Sequence, residues 1–141
     1  MTKQKVTDLA SKSSKAKELG IDNTVPQAMV GNVLMAGFYL NQLDMFVDHI
    51  TSWFRCPALN DAVGGAPGSY HQSGLAIDFV PKGIDNDQFL YISRGLRLPF
   101  QQVITYEATP HVHVSFHRPG EGLSKQPTYL VAKAGGGYRR V

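Results

Sequence analysis

Apolar residues recur at near-helical spacing between residues 27 and about 48, and this pattern predicts one long helix. The segment before it has the residue types of a helix start. Thr24 can cap, Pro26 falls in the first turn where an N–H donor is not needed, and Gln27 completes a capping-box pattern. We therefore expect the helix to begin between Thr24 and Gln27. Its apolar positions are Val30, Val33, Leu34, Phe38, Leu40, Leu43 and Val47.

Four short runs rich in β-branched and aromatic residues predict strands, at residues 50–54, 75–80, 102–107 and 112–116. Between the second and third runs, residues 85–88 read Asp-Asn-Asp-Gln, which predicts the start of a shorter helix that ends near Gly95. The order of these elements indicates an α+β fold. We expect a small, largely antiparallel sheet packed against one long helix and one or more short helices.

The two ends of the chain differ from its middle in composition. Residues 1–20 are polar and rich in lysine and serine, and we expect them to be loosely held. Residues 119–141 form a basic, glycine-rich tail with no periodic pattern. The length of 141 residues and the 43% apolar content suit one folded domain, which we place at residues 21–118.

Positive charge is concentrated at the same two ends, although the formal net charge is only +3. The basic residues at the ends are Lys3, Lys5, Lys12, Lys15, Lys17, Arg118, Lys125, Lys133, Arg139 and Arg140. Such ends can contact an anionic polymer, such as nucleic acid or a bacterial wall, or they can simply be solvated. No helix-turn-helix, zinc-finger or aromatic-basic RNA-binding motif is present, so we expect no specific nucleic-acid partner.

No stretch of the sequence is apolar for long enough to predict a transmembrane helix. The first twenty residues also lack the apolar core and the small-residue cleavage site of a conventional signal peptide. The single cysteine, Cys56, excludes an internal disulfide. Cys56 lies beside Arg55 and could act as a peptidase nucleophile, but a small, buried cysteine is the more common case.

Two segments carry residues with the chemistry of a metal site. In the first, His71 and Asp78 are seven residues apart, and Gly74 between them allows the chain to turn back. Asp78 follows Ala76 on one face of an apolar predicted strand, where a carboxylate must be paired, hydrogen-bonded or bound to a metal. In the second, His111 and His113 project from one face of another strand. Two imidazoles and one carboxylate make a typical open zinc site.

Each of these residues also has a simpler interpretation. A histidine in a glycine-rich loop is usually a polar turn residue, and an aspartate in a strand often organises a turn by hydrogen bonding. The two segments together, with glycine and alanine at fitting positions, favour a metal site. His49 and His117 belong to no such group, and we expect them to be structural or exposed.

The pattern Ser-x-His-x-x-Gly-x-Ala-x-Asp at residues 69–78, followed by Val-His-Val-Ser at residues 112–115, resembles a family of zinc peptidases. This is the D-alanyl-D-alanine carboxypeptidase family, which includes small phage endolysins that cut the L-alanyl–D-glutamate bond of peptidoglycan stem peptides. Residues 53–65, Trp-Phe-Arg-Cys-Pro-Ala-Leu-Asn-Asp-Ala-Val-Gly-Gly, and residues 20–24 are also similar. The resemblance spans residues 18–118.

By position, the resemblance implies that His71, Asp78 and His113 bind zinc. Ser69 falls where the family has a substrate-binding hydroxyl. Arg55 matches the arginine that holds the peptide or the developing oxyanion, a role that suits a fixed guanidinium near a metal.

The general base is less clearly implied, because the family commonly has an acidic residue three positions before the last zinc histidine, where this chain has Pro110. The nearest carboxylate is Glu107, which we expect to reach the catalytic water if Thr109 and Pro110 loop out. His111 is the alternative proton acceptor or oxyanion ligand. A chain without an effective base is the third possibility.

From this resemblance we expect a monomeric zinc peptidase that hydrolyses peptidoglycan stem peptides as an endolysin-type L-alanyl–D-glutamate endopeptidase. A non-catalytic, zinc-stabilised module that binds the wall or serves in a phage particle is one alternative. A D-alanyl-D-alanine carboxypeptidase is the other. A phage lysin without a signal peptide would accumulate in the host cytoplasm and act at the periplasmic wall.

Overall fold

A computed structural model describes residues 2–121 and 126–141. The helices are α1 (Lys3–Ser11), α2 (Ser14–Leu19), α3 (Gln27–Gln42), α4 (Pro57–Ala62) and α5 (Asn86–Ser93). The strands are β1 (Val47–Ser52), β2 (Ala76–Pro81), β3 (Phe100–Tyr106), β4 (Val112–Phe116), β5 (Thr128–Ala132) and β6 (Tyr138–Arg140). Two short 3₁₀ turns lie at Asp44–Phe46 and Tyr70–Ser73.

The six strands form one sheet in the order β1-β2-β4-β3-β5-β6. All neighbouring pairs are antiparallel except β3 and β5, which run parallel. This arrangement confirms the predicted α+β fold with a largely antiparallel sheet.

The hydrophobic core covers one face of this sheet. The ring of Phe79 on β2 makes an edge-to-face contact with Phe89 of α5, and Phe116 on β4 packs against Tyr39 of α3. Because side chains alternate along a strand, Asp78 and its neighbours on β4 face the other side. The sheet therefore separates a core face, covered by helices, from a face that is free to carry polar chemistry.

The long helix begins within the predicted range but ends earlier than predicted. The predicted Thr24 cap is wrong: the N-cap is Pro26, and the Thr24 hydroxyl donates instead to the Asp22 carboxylate at 2.6 Å. At the other end the helix stops at Gln42, and Val47 already belongs to β1. The near-helical apolar spacing continues to Val47, but Val47 is not helical. Pairing of β1 with β2 takes precedence over helix propensity at this position.

The predicted start of α5 is confirmed. The Asp85 side chain accepts a hydrogen bond from the Gln88 backbone N–H, and the Gln88 side chain accepts one from the Asp85 backbone N–H. These two bonds form a reciprocal capping box at the predicted helix start. Strand β4 also has the predicted bounds, whereas β1 begins at Val47, three residues earlier than expected.

Both ends of the chain are more ordered than the sequence suggests, and the expectation of a loosely held N-terminal segment is wrong. Helices α1 and α2 form there and bury Ala10 and Ala16. The C-terminal tail contributes β5 and β6, two strands that the sequence did not predict. Lys125 lies outside the described residues. Among the described residues, no helix combines the length and hydropathy needed to cross a membrane.

Candidate metal centre

Three predicted site residues converge on the open face of the sheet. The Asp78 Oδ1 atom lies 2.7 Å from His113 Nδ1 and 3.2 Å from His71 Nε2. One ligand atom from each residue lies within 4.8 Å of the others. Two ligands of a tetrahedral zinc ion with bonds of ~2.0–2.1 Å are about 3.3 Å apart, so the spacing suits such an ion.

Strand pairing and one glycine bring these residues together. Asp78 on β2 lies directly opposite His113 on β4 in the antiparallel register. His71 belongs to the 3₁₀ turn, and the chain returns to β2 through Gly74, whose φ is +80°. A side chain at Gly74 would also meet Val33 Cγ2 of α3 at 2.5 Å. The turn between His71 and Asp78 therefore depends on glycine for both conformation and space.

A backbone carbonyl fixes the orientation of the His71 ring. The ring is buried, and its Nδ1 lies 2.6 Å from the carbonyl oxygen of Trp53, so Nδ1 carries the proton and donates it. The lone pair of Nε2 then points toward Asp78. Burial lowers the pKa of His71, although the nearby Asp78 carboxylate opposes this effect. A neutral imidazole with this second contact is the usual form of a metal-binding histidine.

Asp78 supplies the negative charge of the cluster. Burial by itself would raise the pKa of this carboxyl, but the hydrogen bond from His113 and the nearby His71 ring outweigh that effect and hold the pKa well below its usual range. The residue is therefore an anion with 7% of its surface exposed. Two imidazoles and one buried carboxylate are the donor set that zinc prefers, and the residues fit the ion.

Arg55 completes the inner part of the site. Its Nη2 atom lies 3.5 Å from Asp78 Oδ2, its Nε donates to Ser52 Oγ at 3.1 Å, and its Nη1 donates to Asn60 Oδ1 at 3.4 Å. Asn60 is buried, and a Cβ at Gly65 would overlap its side chain. The guanidinium is thus held beside the cluster from three sides, and Asn60, one of its partners, lies in the 53–65 segment that the resemblance covers.

Comparison with known proteins agrees with this geometry. Residues 4–115 match the Peptidase M15 family, a span that runs from α1 into β4 and contains all three cluster residues. The chain belongs to the Peptidase M15 family. M15 peptidases are zinc-dependent, so His71, Asp78 and His113 form the candidate zinc site of this member. No curated protein matches the chain.

His111 lies at the margin of the M15 site. Its ring stacks on Tyr106 with centroids 4.2 Å apart, and its Nδ1 is 2.7 Å from Thr109 Oγ1. Partial burial lowers the pKa of His111, while Asp78 acts to raise it, so this ring is within electrostatic reach of the cluster. Burial and the Asp78 charge both raise the pKa of Tyr106. Tyr106 was not singled out by the sequence, because only the fold brings it within the electrostatic influence of Asp78.

Glu107, the other candidate base, is directed elsewhere. It is exposed, and its Oε1 accepts a hydrogen bond from the backbone N–H of Ala134 at 3.0 Å. It follows Tyr106 at the end of β3, so alternation directs it away from the face that carries Ile104 and His113. Within the described part of the chain, no hydrogen bond joins Glu107 to the cluster. Its role as general base stays a prediction.

Ser69 has a structural role in the turn that carries the candidate ligand His71. Its Oγ accepts a hydrogen bond from the His71 backbone N–H at 3.2 Å and caps the 3₁₀ turn. The substrate-binding role that the resemblance implies stays a prediction.

The remaining candidates are outside the cluster. His49 is exposed and pairs with Asp48 at 2.6 Å, and the buried His117 lies 3.2 Å from Glu121. Cys56 is a free cysteine and is partly buried.

Proposed function

We propose that this protein is a zinc-dependent peptidase that hydrolyses stem peptides of peptidoglycan as an endolysin-type L-alanyl–D-glutamate endopeptidase. The buried Asp78 carries the proposal, because it joins His71, His113 and Arg55 in one charged cluster within an M15 chain. The specific bond follows the sequence resemblance to small endolysins rather than any contact in the site.

Zinc bound by His71, Asp78 and His113 would polarise the scissile carbonyl and lower the pKa of a water molecule in the site. Arg55 holds its guanidinium toward the same space and stabilises the negative charge that develops on the carbonyl oxygen. Because Ser52 and Asn60 also bind this side chain, Arg55 is already oriented before substrate arrives. Ser69 sits at the entrance of the 3₁₀ turn, where its hydroxyl can contact the peptide.

We assign proton transfer to His111. It accepts a proton from the attacking water and delivers it to the leaving amine, with its ring held by Tyr106 and Thr109. Glu107 is the second candidate, and it would have to leave the Ala134 N–H before it could act.

A specific observation also favours a non-catalytic module as the second candidate function. Pro110 occupies the position where the family commonly has its acidic base, and the nearest carboxylate, Glu107, binds the turn between β5 and β6. In that case the zinc cluster would stabilise a domain that binds wall peptides without cleaving them.

Mass spectrometry of defined muropeptides separates these functions. The zinc-loaded protein is incubated with muropeptides, with and without a zinc chelator, and an Asp78→Asn variant serves as the inactive control. Fragments that disappear with chelator establish a metallopeptidase, and their masses separate an L-alanyl–D-glutamate cut from release of D-alanine. Intact muropeptides in the presence of zinc-loaded protein would contradict the proposal and favour the binding module.

The basic ends suit an enzyme that works on an anionic wall. All five N-terminal lysines are exposed on α1, α2 and their connection, and Lys133, Arg139 and Arg140 are exposed near the other end. We propose that these charges hold the protein at the wall, as expected for a phage lysin released from the host cytoplasm. Sedimentation with purified sacculi should show binding that weakens as salt rises, because exposed charges are screened. Binding unchanged at high salt would contradict this role.

A further inference from the structure

The side-chain amide of Asn23 forms three hydrogen bonds with backbone groups of the protein. The residue is 6% exposed. Its Nδ2 donates to the backbone carbonyls of Ser11 at 3.0 Å and Phe54 at 2.9 Å, and its Oδ1 accepts from the backbone N–H of Cys56 at 2.8 Å. Both N–H donors of the side chain are therefore occupied. Within the described residues, none of these bonds reaches the metal cluster.

These bonds attach a central segment, residues 53–56, to the end of α1. The last carbonyls of a helix have no partner within the helix. Here the Ala10 carbonyl accepts from the Phe54 backbone N–H at 3.0 Å, and the Ser11 carbonyl accepts from Asn23. The N-terminal helix thus holds the segment both directly and through Asn23.

The same segment holds the metal cluster with its other residues. The Trp53 carbonyl accepts from His71 Nδ1, and the Arg55 backbone N–H donates to the His71 carbonyl at 3.0 Å. The Arg55 side chain reaches Asp78. Residues 53 and 55 therefore contact the cluster, whereas residues 54 and 56 bind α1 and Asn23. This alternation is that of an extended segment, which contacts α1 and Asn23 on one side and the metal cluster on the other.

We propose that Asn23 is a positioning residue for the metal centre. It fixes residues 53–56, so that the Trp53 carbonyl sets the orientation of the His71 ring and Arg55 stays beside Asp78. Partners that orient metal-binding histidines typically change metal affinity by about 10–100-fold when they are lost. The proposal depends on the metal site and not on which peptide bond is cleaved, so it can fail while the proposed function stands.

The test is the zinc affinity of an Asn23→Asp variant, measured by competition with a chromophoric chelator. The substitution preserves the acceptor for the Cys56 N–H but places an oxygen opposite the Ser11 and Phe54 carbonyls, which lose their donor. We expect zinc to bind about 10–100-fold more weakly. We also expect the visible bands of the cobalt-substituted variant to shift, because the His71 ring is no longer held in one orientation.

Ser13→Ala is the matched control. The Ser13 hydroxyl accepts from the Ala16 backbone N–H and caps α2, so its loss weakens a helix of the same N-terminal region without touching residues 53–56. Normal zinc affinity in Ser13→Ala together with weak binding in Asn23→Asp supports the proposal. Equal losses in both variants, or wild-type affinity in a folded Asn23→Asp, would overturn it. If circular dichroism shows that Asn23→Asp does not fold, the milder Asn23→Ser is judged by the same criteria.

Discussion

Asp78 on β2 and His113 on β4 are directly opposed in the sheet, and their side chains meet at 2.7 Å between Oδ1 and Nδ1. The pairing of two strands therefore sets the distance between two candidate zinc ligands. His71 reaches the same oxygen from a turn that precedes β2. A rigid sheet and a short, glycine-dependent turn together preorganise the site before any metal binds.

Asp78→Asn should weaken zinc binding by at least about 100-fold, because it removes the anion that both histidines contact. Isothermal titration of the metal-free protein with zinc checks this. Asp48→Asn is the control, since Asp48 is an exposed carboxylate that pairs with a histidine, His49, and neither residue belongs to the metal cluster. Similar zinc affinity in the two variants would exclude Asp78 as a ligand.

Arg55→Lys should reduce kcat by about 10²–10³-fold while the protein still binds zinc. A lysine retains the charge but cannot contact Ser52, Asn60 and Asp78 at once as the guanidinium does. Steady-state hydrolysis of a stem peptide gives kcat, and zinc content is measured on the same sample. Arg97→Lys, a change at an exposed arginine, should leave both unchanged. Wild-type kcat in Arg55→Lys would remove Arg55 from the catalytic machinery.

The general base can be identified with a pair of variants. His111→Gln should lower kcat by about 10²–10⁴-fold, because the proton acceptor is lost while zinc remains bound. Glu107→Gln should stay close to wild type, since Glu107 contacts the Ala134 N–H rather than the cluster. Single-turnover hydrolysis of a stem peptide by both variants decides between them. The reverse result would assign the base to Glu107, and full activity in both would exclude the two residues together.

The sequence predicted the parts of this site that depend on local spacing. His71, Asp78 and His113 stand in short motifs whose residue types and intervals indicate metal chemistry. Tyr106 has no such signal, because the fold alone brings it close enough to Asp78 for that charge to raise its pKa. A motif can indicate which residues bind a metal, but it does not show which other residues contact them and fix their orientation.

The difference between local patterns and contacts made on folding also explains the errors in the predicted fold. The N-terminal helices look like a solvated lysine-rich segment because their buried residues, Ala10 and Ala16, are small, and Val6 and Leu9 are only partly buried against the core. Strand β5 is short and follows a stretch of polar residues, and its parallel pairing with β3 cannot be read from its own five residues. The start of α5, by contrast, is a local pattern and was predicted correctly.

Gly74→Ala should destabilise the protein by about 2–4 kcal/mol, combining the cost of a left-handed backbone with that of overpacking against Val33. Gly83→Ala is the matched control: Gly83 has a similar φ of +75°, but no atom lies within 4 Å of the added methyl group. That variant should lose only about 1–2 kcal/mol. Urea unfolding of the metal-free proteins gives both values.

The difference between the two glycine variants isolates the contact between the turn and α3. Because Gly74 follows the turn that carries His71, we expect Gly74→Ala to weaken zinc binding as well, whereas Gly83→Ala should bind zinc normally. Equal destabilisation in the two variants would mean that Val33 moves aside at little cost. In that case the turn depends on glycine for its backbone conformation alone, and the packing of α3 against it does not help to place the metal ligand.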